Sequence, residues 1–249
     1  MRAIHFFTVC LSIGLLLSGN LALPISAREY QPTRRGLPGR REGAGTRGPA
    51  QACVAQKPTL TTILPETNLG LTTTDYPRLF VFMPQTSAKT ARLVLFASSE
   101  ANPEGDVLYD TTLTIPPKAS ILSVQLPKDG TIPPLEIDKN YHWVVTLQCN
   151  PADPVTDIYV SGWVRRVALP ANLNTQLQAT SPRDRLQLYT QNDVWLDAVA
   201  TMSDLRCTDP TNPDLAANWQ ELLQSVNLGH LAKQPLAQCA GITASKAQP

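Results

Sequence analysis

From residue 59 to residue 167, apolar and polar side chains alternate in short runs, and clusters of Pro, Gly, Asn and Asp separate one run from the next. The two-residue period predicts half-buried strands at residues 79–83, 91–97, 106–114, 120–126, 141–149 and 158–167, with a further edge strand over 59–64. No interval between them is long and periodic enough for a crossover helix, so antiparallel pairing is expected. Six or seven such strands in about 110 residues predict an immunoglobulin-like or fibronectin-like antiparallel β-sandwich.

One local pattern sharpens that expectation. Leu135, a polar turn and then Tyr141 opening a strand resemble a tyrosine corner, in which the phenol bonds to upstream backbone. Along that strand Tyr141, Trp143, Val145 and Leu147 share one face and are assigned to the core. His142 falls on the other face, where it is exposed or packed sideways. Trp163 is read as a core plug in preference to a contact with the second half of the chain.

After residue 170 the period changes to that of helices. Thr180-Ser181-Pro182-Arg183-Asp184 is a helix start, with a capping hydroxyl, Pro in the first turn and an early acid. Leu186 and Tyr189 mark that helix, and Asn192-Asp193 turns the chain. Trp195, Ala198, Val199, Met202 and Leu205 mark a second helix. A third carries Leu215, Ala216, Trp219, Leu222, Leu223 and Val226, with a short turn over 228–231 after it. Tyr189, Trp195, Ala198, Met202 and Pro210 follow one another at spacings of six, three, four and eight, like one hairpin of a tetratricopeptide repeat. A single copy forms no array, so a hairpin docked on the sandwich is expected. The fold class is therefore α+β, strands first and helices after.

Charge changes this picture little. The 249 residues carry a formal net charge of +1, which argues against nucleic acid as a partner. The start of the chain matters more. Arg2, an apolar run from residue 4 to 17 and a small-residue end at Ser26-Ala27 read as a secretory signal peptide over 1–27, cleaved after Ala27. The mature protein is then expected in the periplasm, cell envelope or extracellular space, with no transmembrane helix. Residues 28–58 form an Arg/Gly/Pro-rich arm, expected to be disordered, whose Arg40 and Arg41 are candidates for weak contact with an anionic surface. The remaining boundaries are 59–168 for the sandwich, 169–240 for the helical region and 241–249 for a disordered tail.

Export also settles how the cysteines are read. Cys10 lies in the signal segment, which leaves Cys53, Cys149, Cys207 and Cys239 in an oxidising compartment. Four cysteines allow three connectivities. The economical one is a bridge per half, Cys53 to Cys149 and Cys207 to Cys239.

Candidate chemistry is sparse. His142 and His230 are the only histidines after the signal segment, and no GxSxG, HExxH or P-loop pattern occurs. Asp153 and Asp157 sit in a Pro-rich turn but lack the Gly-framed loop of a calcium site. No catalytic, metal-ligating or cofactor-binding residue is assigned, and no cofactor is expected. The most distinctive stretch, 64–89, holds Thr72, Thr73, Thr74, Asp75 and Tyr76, which are taken as a candidate interaction surface together with Arg40 and Arg41.

The segments RGLPGRREGAGTRG (35–48), LTTILPETNLGLTTTDYPRLFVFMPQTSAK (60–89), YHWVVTLQCNP (141–151), VSGWVRRV (160–167) and LYTQNDVWLDAVATMSDLR (188–206) resemble an exported cyanobacterial family, domain-of-unknown-function family 928. The resemblance implies an extracytoplasmic protein of a photosynthetic bacterium and brings no activity and no site residues. Cys53 and Cys149 are the pair more typical of that family. The expected function is a non-catalytic protein-binding or scaffolding module of the periplasm or envelope, with another envelope or secreted protein as partner. The alternatives are a carbohydrate-active hydrolase with a dispersed carboxylate pair and a structural envelope protein tethered by its basic arm.

Overall fold

A computed structural model describes residues 36–43, 53–54, 57–97, 102, 105–150 and 152–240. Among them the alternating region forms β1 (Thr61–Thr62), β2 (Leu69–Thr72), β3 (Arg78–Met83), β4 (Thr90–Ala97), β5 (Asp106–Thr114), β6 (Ser120–Gln125), β7 (Asn140–Leu147) and β8 (Ile158–Arg166). The helices follow as α1 (Ala171–Ala179), α2 (Pro182–Gln191), α3 (Trp195–Thr208) and α4 (Pro213–Gln224). The expected signal peptide, the arm up to residue 35 and the tail over 241–249 lie outside the described residues. Among the described residues no helix is long and apolar enough to cross a membrane.

The strands form two open sheets, one in the order β1-β3-β6 and one in the order β2-β8-β7-β4-β5. Five of the pairings among named strands are antiparallel, but β2 runs parallel to β8, Leu69 opposite Trp163 and Thr72 opposite Arg166. This corrects the expectation of antiparallel pairing. A parallel pair needs a long connection, and here all the strands between β2 and β8 supply it. β2 also reads weakly as a strand, being four residues with Gly70 inside it.

The buried faces follow the pleat. Along β7 the odd-numbered residues are buried and the even-numbered ones half-buried, as the alternation requires. Leu93 and Leu95 of β4 and Val160 and Val164 of β8 join them, and the same cluster continues into Trp195, Met202 and Trp219 of the helices. Leu64 and Leu196 come so near the inner face of β2 and β8 that only glycine fits beneath them. A Cβ on Gly162 would lie 2.3 Å from Leu64 Cδ1, and one on Gly70 would lie 2.8 Å from both Leu196 Cγ and Leu64 Cδ2. The two glycines on adjacent strands thus make a hollow for Leu64, and at Gly70 it also receives Leu196 of α3.

Caps fix where the helices begin. The Ser181 hydroxyl accepts from Asp184 N at 3.3 Å, and Asn212 Oδ1 accepts from Asp214 N and Leu215 N at 3.0 and 3.3 Å. Pro182 and Pro213 occupy the first turns, where no amide donor is needed. α1 escaped the sequence reading because Leu173 and Leu177 are its only buried residues, a stripe too narrow to show a helical period.

Both ends of the described chain are pinned to sheet edges. Residues 36–43, expected to be disordered, instead cross the molecule as a strap. Gly43 N donates to Leu60 O at 2.7 Å, Thr62 N to Arg41 O at 2.8 Å, and Ser161 N to Arg40 O at 2.8 Å. Arginine-rich composition hides this because the pairing with the strands is made by backbone, and Leu37 is the one apolar residue that packs beneath. At the other end Ile121 N of β6 donates to Pro235 O at 2.8 Å, and Ile121 bridges in parallel to Leu236. Disulfides join Cys53 to Cys149 and Cys207 to Cys239. The second ties the last turn of α3 to the segment lying along β6.

Candidate functional site

The distinctive polar stretch meets α3 at a buried carboxylate. Asp193, in a left-handed turn at φ 64°, ends the α2–α3 connection, and Asp197 falls in the first turn of α3. Its side chain points at the end of β2. Oδ1 accepts from the Thr72 hydroxyl at 2.6 Å, and Oδ2 accepts from Thr73 N at 2.9 Å and the Thr73 hydroxyl at 2.5 Å. Thr74 N in turn donates to the Thr72 hydroxyl at 3.2 Å. Asp197 is 7% exposed. Burial pushes its carboxyl above the ordinary aspartate range, against the opposing pull of the three hydrogen bonds and the Arg78 charge. The neighbouring Tyr189 phenol is raised too, first by burial and then by the Asp197 charge.

The next residues continue the same seam. Asp75 pairs with Arg166 of β8, and its carbonyl accepts from Leu135 N at 2.9 Å. Arg166 Nη1 donates to Leu135 O at 2.9 Å. Arg78 grips Asp204 of α3 with both terminal nitrogens at 2.7 and 2.6 Å, and Nη2 also donates to Ala200 O at 3.0 Å. From Thr72 to Arg78, the chain therefore bonds to β8, to the Leu135 segment and to two turns of α3.

Of the expected interaction surface, Thr72, Thr73, Thr74 and Asp75 are thus all bonded within the molecule, although Thr74 and Asp75 are exposed, and Tyr76 is half-buried against the core. Arg40 lies over the Tyr159 ring, 4.7 Å from its centroid. Arg41 donates to Val226 O beyond the end of α4, and burial lowers its pKa. Glu66 and Asn227, bonded at 2.5 Å, sit at the same junction. The Tyr141 hydroxyl accepts from Glu136 N at 2.9 Å, the upstream backbone bond expected of it.

Trp163 differs from its expected place. It projects from the outer face of the five-stranded sheet and is buried there by Leu37, Leu69 and Leu71, its indole donating to Pro38 O at 2.6 Å. His142 stands beside it with ring centroids 4.8 Å apart, and Phe96 beyond at 5.9 Å from His142. The three rings form a row across β8, β7 and β4, continued by Val107, which is 58% exposed, while Tyr159 of the same face is 42% exposed. Sequence alternation placed His142 on this face, but the strap that covers Trp163 left no apolar run to announce it.

Asp153 and Asp157 act as turn caps, accepting from Val155 N at 3.3 Å and Cys149 N at 3.0 Å. Among the described residues no group of His, Cys, Asp and Glu is arranged to hold a metal ion.

The chain belongs to the family described as Domain of Unknown Function DUF928, whose family model matches residues 42–236. Comparison with curated proteins and with solved structures returns no match.

Proposed function

We propose that the protein is a non-catalytic binding or scaffolding module of the periplasm or cell envelope, exported by a signal peptide over 1–27. In this reading the two sheets are an immunoglobulin-like β-sandwich, supported by the Tyr141 corner. α2 and α3 are a tetratricopeptide-like hairpin used once, as a brace. The parallel β2–β8 pair is this chain's departure from the sandwich pattern.

The observation that carries the reading is the outer face of the five-stranded sheet. There Val107 stands out to solvent at the end of the Phe96–His142–Trp163 row, and Tyr159, opposite Thr146 on the same face, is exposed beside Arg40, on strands fixed by the ladder beneath. Exposed apolar side chains on one face of a laddered sheet offer a surface for contact with another molecule. The polar residues of the 72–78 stretch serve instead to hold that scaffold together.

The test is affinity capture from the envelope fraction with the mature chain and with a Val107→Asp, Tyr159→Ala variant of unchanged melting temperature. The expected result is one protein retained by the parent and reduced at least tenfold by the variant. Equal capture by both, or release of sugar from envelope glycans by the parent, would overturn the reading.

A further inference from the structure

Sheet edges are sites where another strand can add, and proteins usually cover or shorten them. Among the described residues three of the four are dealt with. β1 is covered by the strap through Arg41 and Gly43, β6 by the Pro235–Leu236 segment, and β2 is four residues long. The fourth is β5, nine residues in length, whose named strand partner is β4.

The direction of its backbone groups follows from the ladder. Ile115 N bonds to Lys89 O, and bonded pairs in an antiparallel ladder recur at every second residue. Leu113 and Thr111 therefore face β4. The amides and carbonyls of Asp110, Thr112 and Thr114 face away from it, toward the open edge. On the partner side of β4 the same alternation holds, since Gln148 N bonds to Thr90 O. No proline, lysine or arginine lies on β5; its protection is limited to Asp106, Asp110 and a register shift beside Leu95 and Phe96, which leaves Tyr109–Thr114 regular.

We propose that β5 pairs antiparallel with β5 of a second copy of this chain, joining two five-stranded sheets across a two-fold axis. The charges favour this occupant. With the axis at Thr111, Asp110 of one copy lies opposite Thr112 of the other, so the two Asp110 side chains are diagonal and not direct neighbours. Thr112 stands beside Arg92 in the β4–β5 register. Arg92, already bonded to its own Asp110 at 2.9 and 2.5 Å, then has the second copy's Asp110 as a neighbour, and each guanidinium serves two carboxylates. The hydrogen-bonded pairs are Asp110 with Thr112 and Thr112 with Asp110, the residues whose backbone faces the edge. Tyr109 and Leu113, on the inner face, extend the apolar layer across the joint. The joint lies three strands from Tyr159 on β8, which separates it from that part of the binding surface proposed above, whereas Val107 lies on β5 itself.

Sedimentation of the oxidised mature chain over a wide concentration range, with Thr112→Pro alongside, tests the pairing. Proline at Thr112 removes an edge donor without removing a bond to β4. The expected result is a reversible dimer for the parent and at least tenfold weaker association for Thr112→Pro. Amide exchange of the parent chain decides the matter even if that variant misfolds. Amides of Asp110, Thr112 and Thr114 should gain protection as concentration rises, while those of Thr111 and Leu113 stay protected throughout. A monomer at every concentration with freely exchanging edge amides would overturn the proposal, including the case where a foreign strand occupies β5. So would a dimer that Thr112→Pro leaves intact or whose edge amides exchange freely.

Discussion

Asp197 is the residue on which the junction of sheets and helix turns. Its carboxylate is buried, and burial raises its pKa although Thr72 and Thr73 donate three hydrogen bonds to it. A raised carboxyl in the folded state binds its proton at a pH where the unfolded chain has released it. Stability contributed by the site is then fully present below the ordinary aspartate range and declines as pH rises through the folded value. Urea unfolding followed across acid pH should show this decline, and Asp197→Asn should remove it. Asp197→Ala leaves Thr73 N without an acceptor in a buried place and should cost about 2 kcal/mol at neutral pH. The partners are 125 and 124 residues apart in the chain, with neither period nor spacing to link them. For that reason the Thr-rich stretch looked in the sequence like a surface, whereas the structure places it against α3.

Elements were more legible than their contacts. β5 has the bounds read from the sequence, and β3, β4, β6, β7 and β8 differ from expectation only at their ends, because their alternation reports one buried face directly. β2 and α1 were missed because one holds a glycine and the other has two apolar positions, so neither carries a periodic signal. The glycines nevertheless do structural duty that a substitution exposes. Gly162→Ala would drive a methyl into Leu64 and the Trp143 ring, and should destabilise the fold by about 1–3 kcal/mol in urea titration. The C-terminal segment offers a second test at this scale. Breaking the Cys207–Cys239 bridge, whose cysteines are 32 residues apart, by Cys207→Ser with Cys239→Ser should cost about 3 kcal/mol. The amide of Ile121, bonded to Pro235 O, should then lose protection ahead of the rest of β6.

At the scale of the whole molecule, strands and helices form one body. The apolar cluster is continuous from both sheets into α2, α3 and α4, and the seam from Thr72 to Arg78 adds directed bonds where Leu196 enters the glycine hollow. The strap reinforces this, because Arg41 reaches both β1 through its backbone and Val226 beyond α4 through its side chain. Native-state hydrogen exchange on the oxidised chain tests that unity most directly. The most protected amides of β3, β7 and β8 and those of α3 and α4 are expected to open with the same free energy, in one step. Opening of α3 and α4 at a distinctly lower free energy, while the strands stay closed, would contradict it.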